Sequence, residues 1–89
     1  METIDQNFQT AVNLVNNLTK KPTNEELLMI YGLYKQATVG DVNTDRPGML
    51  DLKGKHKWDS WEKNKGMNIN DAKQNYVNVA MELLKKYQQ

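Results

Sequence analysis

The stretch TNEELLMIYGLYKQATVGDVNTDRPGMLDLKGKHKWDSWEKNKG, residues 23–66, reads as two helices separated by a long connection. Thr23 with Glu26 has the spacing of a capping box, in which the two side chains reciprocally satisfy free amides at a helix start. Glu25 and Glu26 also place negative charge at the positive end of the helix dipole. Leu27, Ile30, Tyr31 and Tyr34 then recur at three- and four-residue steps, a single helical stripe that runs to about Thr38. Gly40 can supply a left-handed exit. Residues 39–52 contain Gly40, Asp41, Asn43, Asp45, Pro47 and Gly48. A connection of that length in a small domain is unusual and tends to be functional. A shorter helix is expected over 54–65, carrying Trp58 and Trp61, with Gly66 behind it.

Outward from this stretch, two more helices complete the pattern. Ile4, Phe8, Ala11, Val12, Val15 and Leu18 keep helical spacing behind a second capping box, Thr3 with Gln6. The tract 19–22, ending in Pro22, breaks that period. A fourth helix is expected to open near Asn68, with Asn68 and Asp71 as a weaker cap. Its apolar face is Ala72, Tyr76, Val79, Ala80, Leu83 and Tyr87. No stretch alternates with period two, and no internal repeat is present. The reading is an all-α, four-helix protein. At 89 residues it is one domain, spanning 1–89, and buries only about 60 to 65% of its unfolded surface. Any ligand is therefore expected in a groove or bowl rather than a deep cavity.

Composition excludes several function classes. Twelve Lys plus Arg against eleven Asp plus Glu leave a formal charge of +1, which argues against nucleic-acid or membrane binding driven by net charge. There is no cysteine, hence no disulfide, thiolate nucleophile or cysteine-ligated metal. Residues 1–7 are polar and contain no apolar signal core, and nowhere do 18 apolar residues run together, so a cytoplasmic protein is expected. His56 is the only histidine, flanked by Lys55 and Lys57, and one imidazole does not make a zinc site. Ser60 lies inside a helix between Asp59 and Trp61, without a glycine-rich elbow. The carboxylates are scattered over helix surfaces. Neither an enzyme nor a metal site is expected, and Gln89 closing the chain just behind the last helix argues against a piece of a larger enzyme.

Two clusters bear on binding. Tyr31, Tyr34 and Lys35 share one side of the second helix, offering flat rings, hydroxyl donors and a point charge. The same spacing also suits two core rings with a lysine at their edge. Lys53 and Lys57 share a face at four-residue spacing while Lys55 points elsewhere. Such a pair is mildly unfavourable unless an anion bridges it, although Asp59 and Glu62 could relieve it on a solvated face. Trp58 and Trp61 read as packing residues. Tyr76 belongs to an apolar face, yet its hydroxyl needs a partner if buried.

The run YGLYKQATVGDVNTDRPGMLDLKGKHKWDSWEKNKGM, 31–67, followed by DAKQNY, 71–76, resembles the acyl-CoA-binding protein family, also known as diazepam-binding inhibitor. Phe8, Lys21, Pro22, Glu25 and Glu26 also fall where that family has them, so the resemblance covers nearly the whole chain. It implies an up-down-down-up bundle of four helices with a long connection between the second and third. The implied function is non-catalytic binding and intracellular transport or buffering of long-chain fatty acyl-CoA esters by a monomer. That ligand needs no cofactor, and neither a nucleic-acid partner nor stable membrane insertion is expected. By resemblance, Tyr34 stacks on adenine, while Tyr31, Lys35 and Lys57 meet the ribose 3′-phosphate. Lys53 and Tyr76 occupy further contact positions, Gly32 and Leu33 are expected to bind ligand with the tyrosines on either side, and Val12, Leu27 and Leu28 wall the acyl chain. Asn16 stands where many relatives place a lysine, which removes one ionic contact, and His56 replaces a usually small residue beside the site. The competing reading is a helical protein-interaction module using the tyrosines with Trp58 and Trp61. The lysines interleaved with those rings favour an anionic ligand.

Overall fold

Helices α1 (Ile4–Asn16) and α2 (Asn24–Thr38) begin where the two capping boxes form. The Thr3 hydroxyl accepts from the Gln6 amide at 3.2 Å and the Gln6 side chain accepts from the Thr3 amide at 2.9 Å. Thr23 and Glu26 repeat both distances. The computed structural model describes residues 3–87, so the outer limits of the expected domain, residues 1, 2, 88 and 89, lie outside the described residues. Among the described residues there are four helices and no strand.

The third helix departs from expectation. Helix α3 is Leu52–Glu62 rather than 54–65. Asp51 caps it, its carboxylate accepting from the Gly54 amide at 2.9 Å, so Gly54 sits within the first turn. At the other end, three-residue hydrogen bonds from Asn64 and Lys65 tighten the chain into a turn that Gly66 leaves at φ 91°. Helix α4 is Ile69–Tyr87, and Asn68 caps it by accepting from the Asp71 amide at 2.8 Å.

Contacts fix the helix directions. Lys57 lies over Tyr31 and Lys35 over Trp61, so α3 runs parallel to α2. Asp5 pairs with Lys73 and Phe8 packs on Tyr76, so α1 and α4 are parallel. Glu26 pairs with Lys86 while Tyr34 meets Tyr76, which makes α2 and α4 antiparallel. The arrangement is up-down-down-up. Its core joins Phe8 and Ala11, Ile30, Leu33 and Ala37, and Ala72, Tyr76, Ala80 and Leu83.

A parallel pair of helices needs a long connection, and here that connection is fastened down. Trp61 donates its indole N–H to the Gly40 carbonyl at 2.7 Å, and Trp58 donates to Thr44 at 2.8 Å. Arg46 forks onto Asp59 at 2.8 and 2.9 Å. Buried Gln36 donates to Asp41 at 2.9 Å and to the Met67 carbonyl at 2.8 Å. Asp41 also accepts from the Gly66 amide, and that bond, with the Gln36 bond, holds its carboxyl below the usual range. Asp59, expected to relieve Lys53 and Lys57, is committed to Arg46 instead.

Glu26 ties the start of α2 to the end of α4. It accepts from the Tyr87 hydroxyl, from the Thr23 amide at 2.9 Å and from Lys86 at 3.0 Å. The Tyr87 bond, followed by the Thr23 and Lys86 bonds, lowers its pKa from 4.5 to about 2. A carboxyl that is more acidic when folded stabilises the fold above its unfolded pKa and loses that effect as pH falls through the folded value. The melting temperature is therefore expected to drop between pH 4.5 and pH 2, and Glu26→Gln should flatten that part of the curve. Circular dichroism melts across this range test it; identical pH profiles for the two proteins would contradict the assignment.

Candidate ligand-binding trough

Two hollows open beside α2 and share a wall. The first, about 260 Å³, lies among α1, α2 and α4. Val12, Val15, Leu27 and Ile30 give it apolar sides, and Asn16, Tyr31, Tyr34 and Tyr76 supply polar groups. The second, about 540 Å³, lies between α2, α3 and the α1–α2 connection. Leu27, Leu28 and Tyr31 line it together with Asn24, Lys21, Lys53, His56 and Lys57. Leu27 and Tyr31 line both, so the two hollows lie side by side across α2 and together form a shallow trough parted by these two side chains.

The charge in this trough has one sign. Lys21, Lys53 and Lys57 line the larger hollow, no carboxylate does, and none of the three makes an ion pair among the described residues. A chain with nearly balanced charge has thus gathered ammonium groups at one place, where an anion is favoured. The Lys57 ammonium sits 5.1 Å from the centre of the Tyr31 ring, which both seats the cation and keeps it at the junction of the hollows. A third hollow, about 490 Å³ and on the other side of Leu28, carries both Glu25 and Lys63 and has no such bias.

The tyrosines differ in role. Tyr34 is partly exposed at 39%, with its ring braced by Phe8 at 6.0 Å and Tyr76 at 6.2 Å. Tyr76 is buried at 3% exposure, makes no side-chain hydrogen bond among the described residues, and lines the smaller hollow. Burial, with Tyr34 adding to it, pushes its hydroxyl up to about 12. It therefore stays protonated and remains a donor at neutral pH.

A family model described as acyl CoA binding protein matches residues 5–80. The chain belongs to the acyl-CoA-binding protein family. It is 50% identical over 80 residues to acyl-CoA-binding protein homolog 1 of Caenorhabditis elegans, covering 90% of this chain and 93% of that one. The acyl-CoA-binding protein homolog of Drosophila melanogaster is 45% identical over 84 residues, covering 94% and 98%. The crystal structure of Oryza sativa Acyl-CoA-Binding Protein 2 superposes with a TM-score of 0.91 at 36% identity, covering 97% of this chain and 94% of that one. The acyl-CoA-binding protein family is one of binding proteins, named for a ligand rather than a reaction. No described helix is long and apolar enough to cross a membrane.

Within this member of the acyl-CoA-binding protein family, most of the residues singled out in the sequence line the trough. They are Tyr31, Tyr34, Lys53, Lys57 and Tyr76, with Val12, Asn16, Leu27 and Leu28. Three stand apart. Lys35 places its ammonium 4.8 Å from the Trp61 ring centre, one turn farther along α2 from Tyr31. Gly32 faces α3, where an added Cβ would lie 2.3 Å from the Ser60 carbonyl oxygen. Leu33 is a core residue whose fringe meets the third hollow. Sequence reasoning missed Lys21 and Asn24 in the larger hollow and Val15 and Ile30 in the smaller one as lining residues. The available signal was Pro22, which is buried and so pins the connection beside Lys21. The tryptophans spend both indole N–H groups on the α2–α3 connection, and Trp61 is 6% exposed, so it packs in the interior rather than on the surface.

Proposed function

We propose that this chain is a non-catalytic carrier that binds and buffers long-chain fatty acyl-CoA esters as a cytoplasmic monomer, its single domain spanning 1–89. The observation that carries this reading is the pair of adjoining hollows, which set the apolar walls of Val12, Leu27 and Leu28 beside the rings of Tyr31, Tyr34 and Tyr76 and the ammonium groups of Lys53 and Lys57. Such an ester is anionic at one end and greasy at the other, and needs both kinds of surface in one site. Each methylene removed from water contributes roughly 0.8 kcal/mol, so a dozen contribute about 10 kcal/mol before ordering costs. The tail therefore dominates affinity while phosphates and adenine set orientation. Tyr34 supplies the stacking face, Lys53 and Lys57 the charge, and Tyr76 a neutral donor. Lys35, on a long flexible stem, swings from Trp61 to join Lys57 at the phosphates. Gly32 and Leu33 contribute by holding the helices that carry these groups. Asn16 donates where a lysine would add charge, which weakens the head-group contribution.

Titration calorimetry tests the division of labour. Palmitoyl-CoA is expected to bind at least about 100-fold more tightly than CoA, which lacks the buried methylenes. Free palmitate, which lacks the phosphates, should also bind more weakly than the ester. Equal affinities for palmitoyl-CoA and CoA would remove the acyl side of the trough from the site.

A further inference from the structure

We propose that the tip of the α2–α3 connection, Met49 and Leu50 together with Leu52, is a peripheral docking element for anionic lipid bilayers. These three side chains are 83%, 104% and 62% exposed, a run of large apolar groups with nothing packed on it. None lines any of the three hollows, so the ligand trough does not account for them. The exposure is built into the fold. Trp58 holds Thr44 and Asp59 holds Arg46 on one side of the tip, while Asp51 caps α3 on the other. Between them the Asp51 amide donates to the Gly48 carbonyl at 3.1 Å, closing a turn that lifts Met49 and Leu50 off the surface.

Shape and charge together select the occupant. A convex apolar tip offers no groove for a partner's side chains, but it can sink into the soft boundary between headgroups and acyl chains. Directly behind it come Lys53, Lys55 and Lys57, opposed locally by Asp45 and Asp51, since Arg46 and Asp59 neutralise each other, which leaves the surroundings of the tip positive. Lysines beside an apolar anchor favour anionic lipid headgroups. With a net charge of +1 and no membrane-crossing helix among the described residues, the association is peripheral and reversible. Lys53 and Lys57 also line the trough, so a bilayer docked at this tip lies next to the larger hollow. Docking itself requires no ligand.

Sedimentation of the ligand-free protein with vesicles tests this directly. At low ionic strength it should partition into phosphatidylcholine/phosphatidylserine vesicles about tenfold or more better than into pure phosphatidylcholine, and salt should erase the difference. Met49→Ser with Leu50→Ser should lower that partition about tenfold. Because both side chains are exposed and outside the trough, helical circular dichroism and palmitoyl-CoA affinity should stay as in the wild type. Binding that is absent, indifferent to lipid charge or unchanged in the double variant overturns the proposal. So does concentration-dependent self-association that the double variant abolishes without any vesicle binding, because it would assign the tip to a second copy of the chain.

Discussion

Tyr31→Ala is expected to bind palmitoyl-CoA about 100-fold more weakly than the wild type while keeping its helical circular dichroism. Truncating an aromatic anchor at the centre of a contact costs roughly 2 to 4 kcal/mol, and each 1.4 kcal/mol is a factor of ten. Tyr31 has that central place because it lines both hollows and carries the Lys57 ammonium over its ring. Removing the ring widens the junction and leaves Lys57 without its seat. The ester then loses contact and orientation at one position. The fold should tolerate the change, because Tyr31 is only half-buried and does not belong to the core cluster. Competition with a fluorescent acyl-CoA measures the effect. Affinity within twofold of the wild type would show that the ligand does not cross this junction.

How much of this was legible beforehand depends on the sequence distance over which each contact acts. Both capping boxes join residues three apart, so the starts of α1 and α2 were readable from Thr3, Gln6, Thr23 and Glu26. The start of α3 was placed two residues late because Asp51 reads as part of the connection, whereas its carboxylate accepts from the Gly54 amide and caps a helix that opens at Leu52. The residues that fasten the long connection were not legible at all. Trp58 to Thr44, Trp61 to Gly40, Arg46 to Asp59 and Asp41 to Gly66 span 13 to 25 residues, and no local period announces them.

The trough shows the same division. Its chemical character was visible in Tyr31, Tyr34, Lys53 and Lys57, since helical spacing places such residues on shared faces. Which rings would be braced and which ammonium groups left open was not. Lys35 and Lys57 look equivalent in sequence, yet one rests on Trp61 and the other on Tyr31. That difference arises from how closely α3 approaches α2, a distance that only tertiary packing sets.

Gly32 sets that approach, and its replacement discriminates packing from propensity. Glycine inside a helix costs about 1 kcal/mol relative to alanine, so helix propensity alone makes Gly32→Ala stabilising. In the structure a Cβ at this position would lie 2.3 Å from the Ser60 carbonyl oxygen and 2.7 Å from its carbon. Ordinary contact needs about 3.5 Å or more, so α3 must retreat by roughly 1 Å. Overpacking of this kind costs about 1 to 3 kcal/mol, and here the obstacle is backbone, which yields less than a side chain. A net destabilisation of about 1 to 2 kcal/mol is expected, a fall of roughly 10 °C in melting temperature for a domain of this size. Palmitoyl-CoA affinity should fall with it, because the seam being forced apart is the one that brings Lys57 to Tyr31. Gly54→Ala supplies the comparison. There the added Cβ meets only the Asp51 carboxylate, at 2.2 Å, and that group can swing away at the loss of one helix cap, about 1 kcal/mol. Were Gly32→Ala to melt higher than the wild type, the close contact between α2 and α3 would not exist in solution, and the placement of Lys57 over Tyr31 would lose its basis.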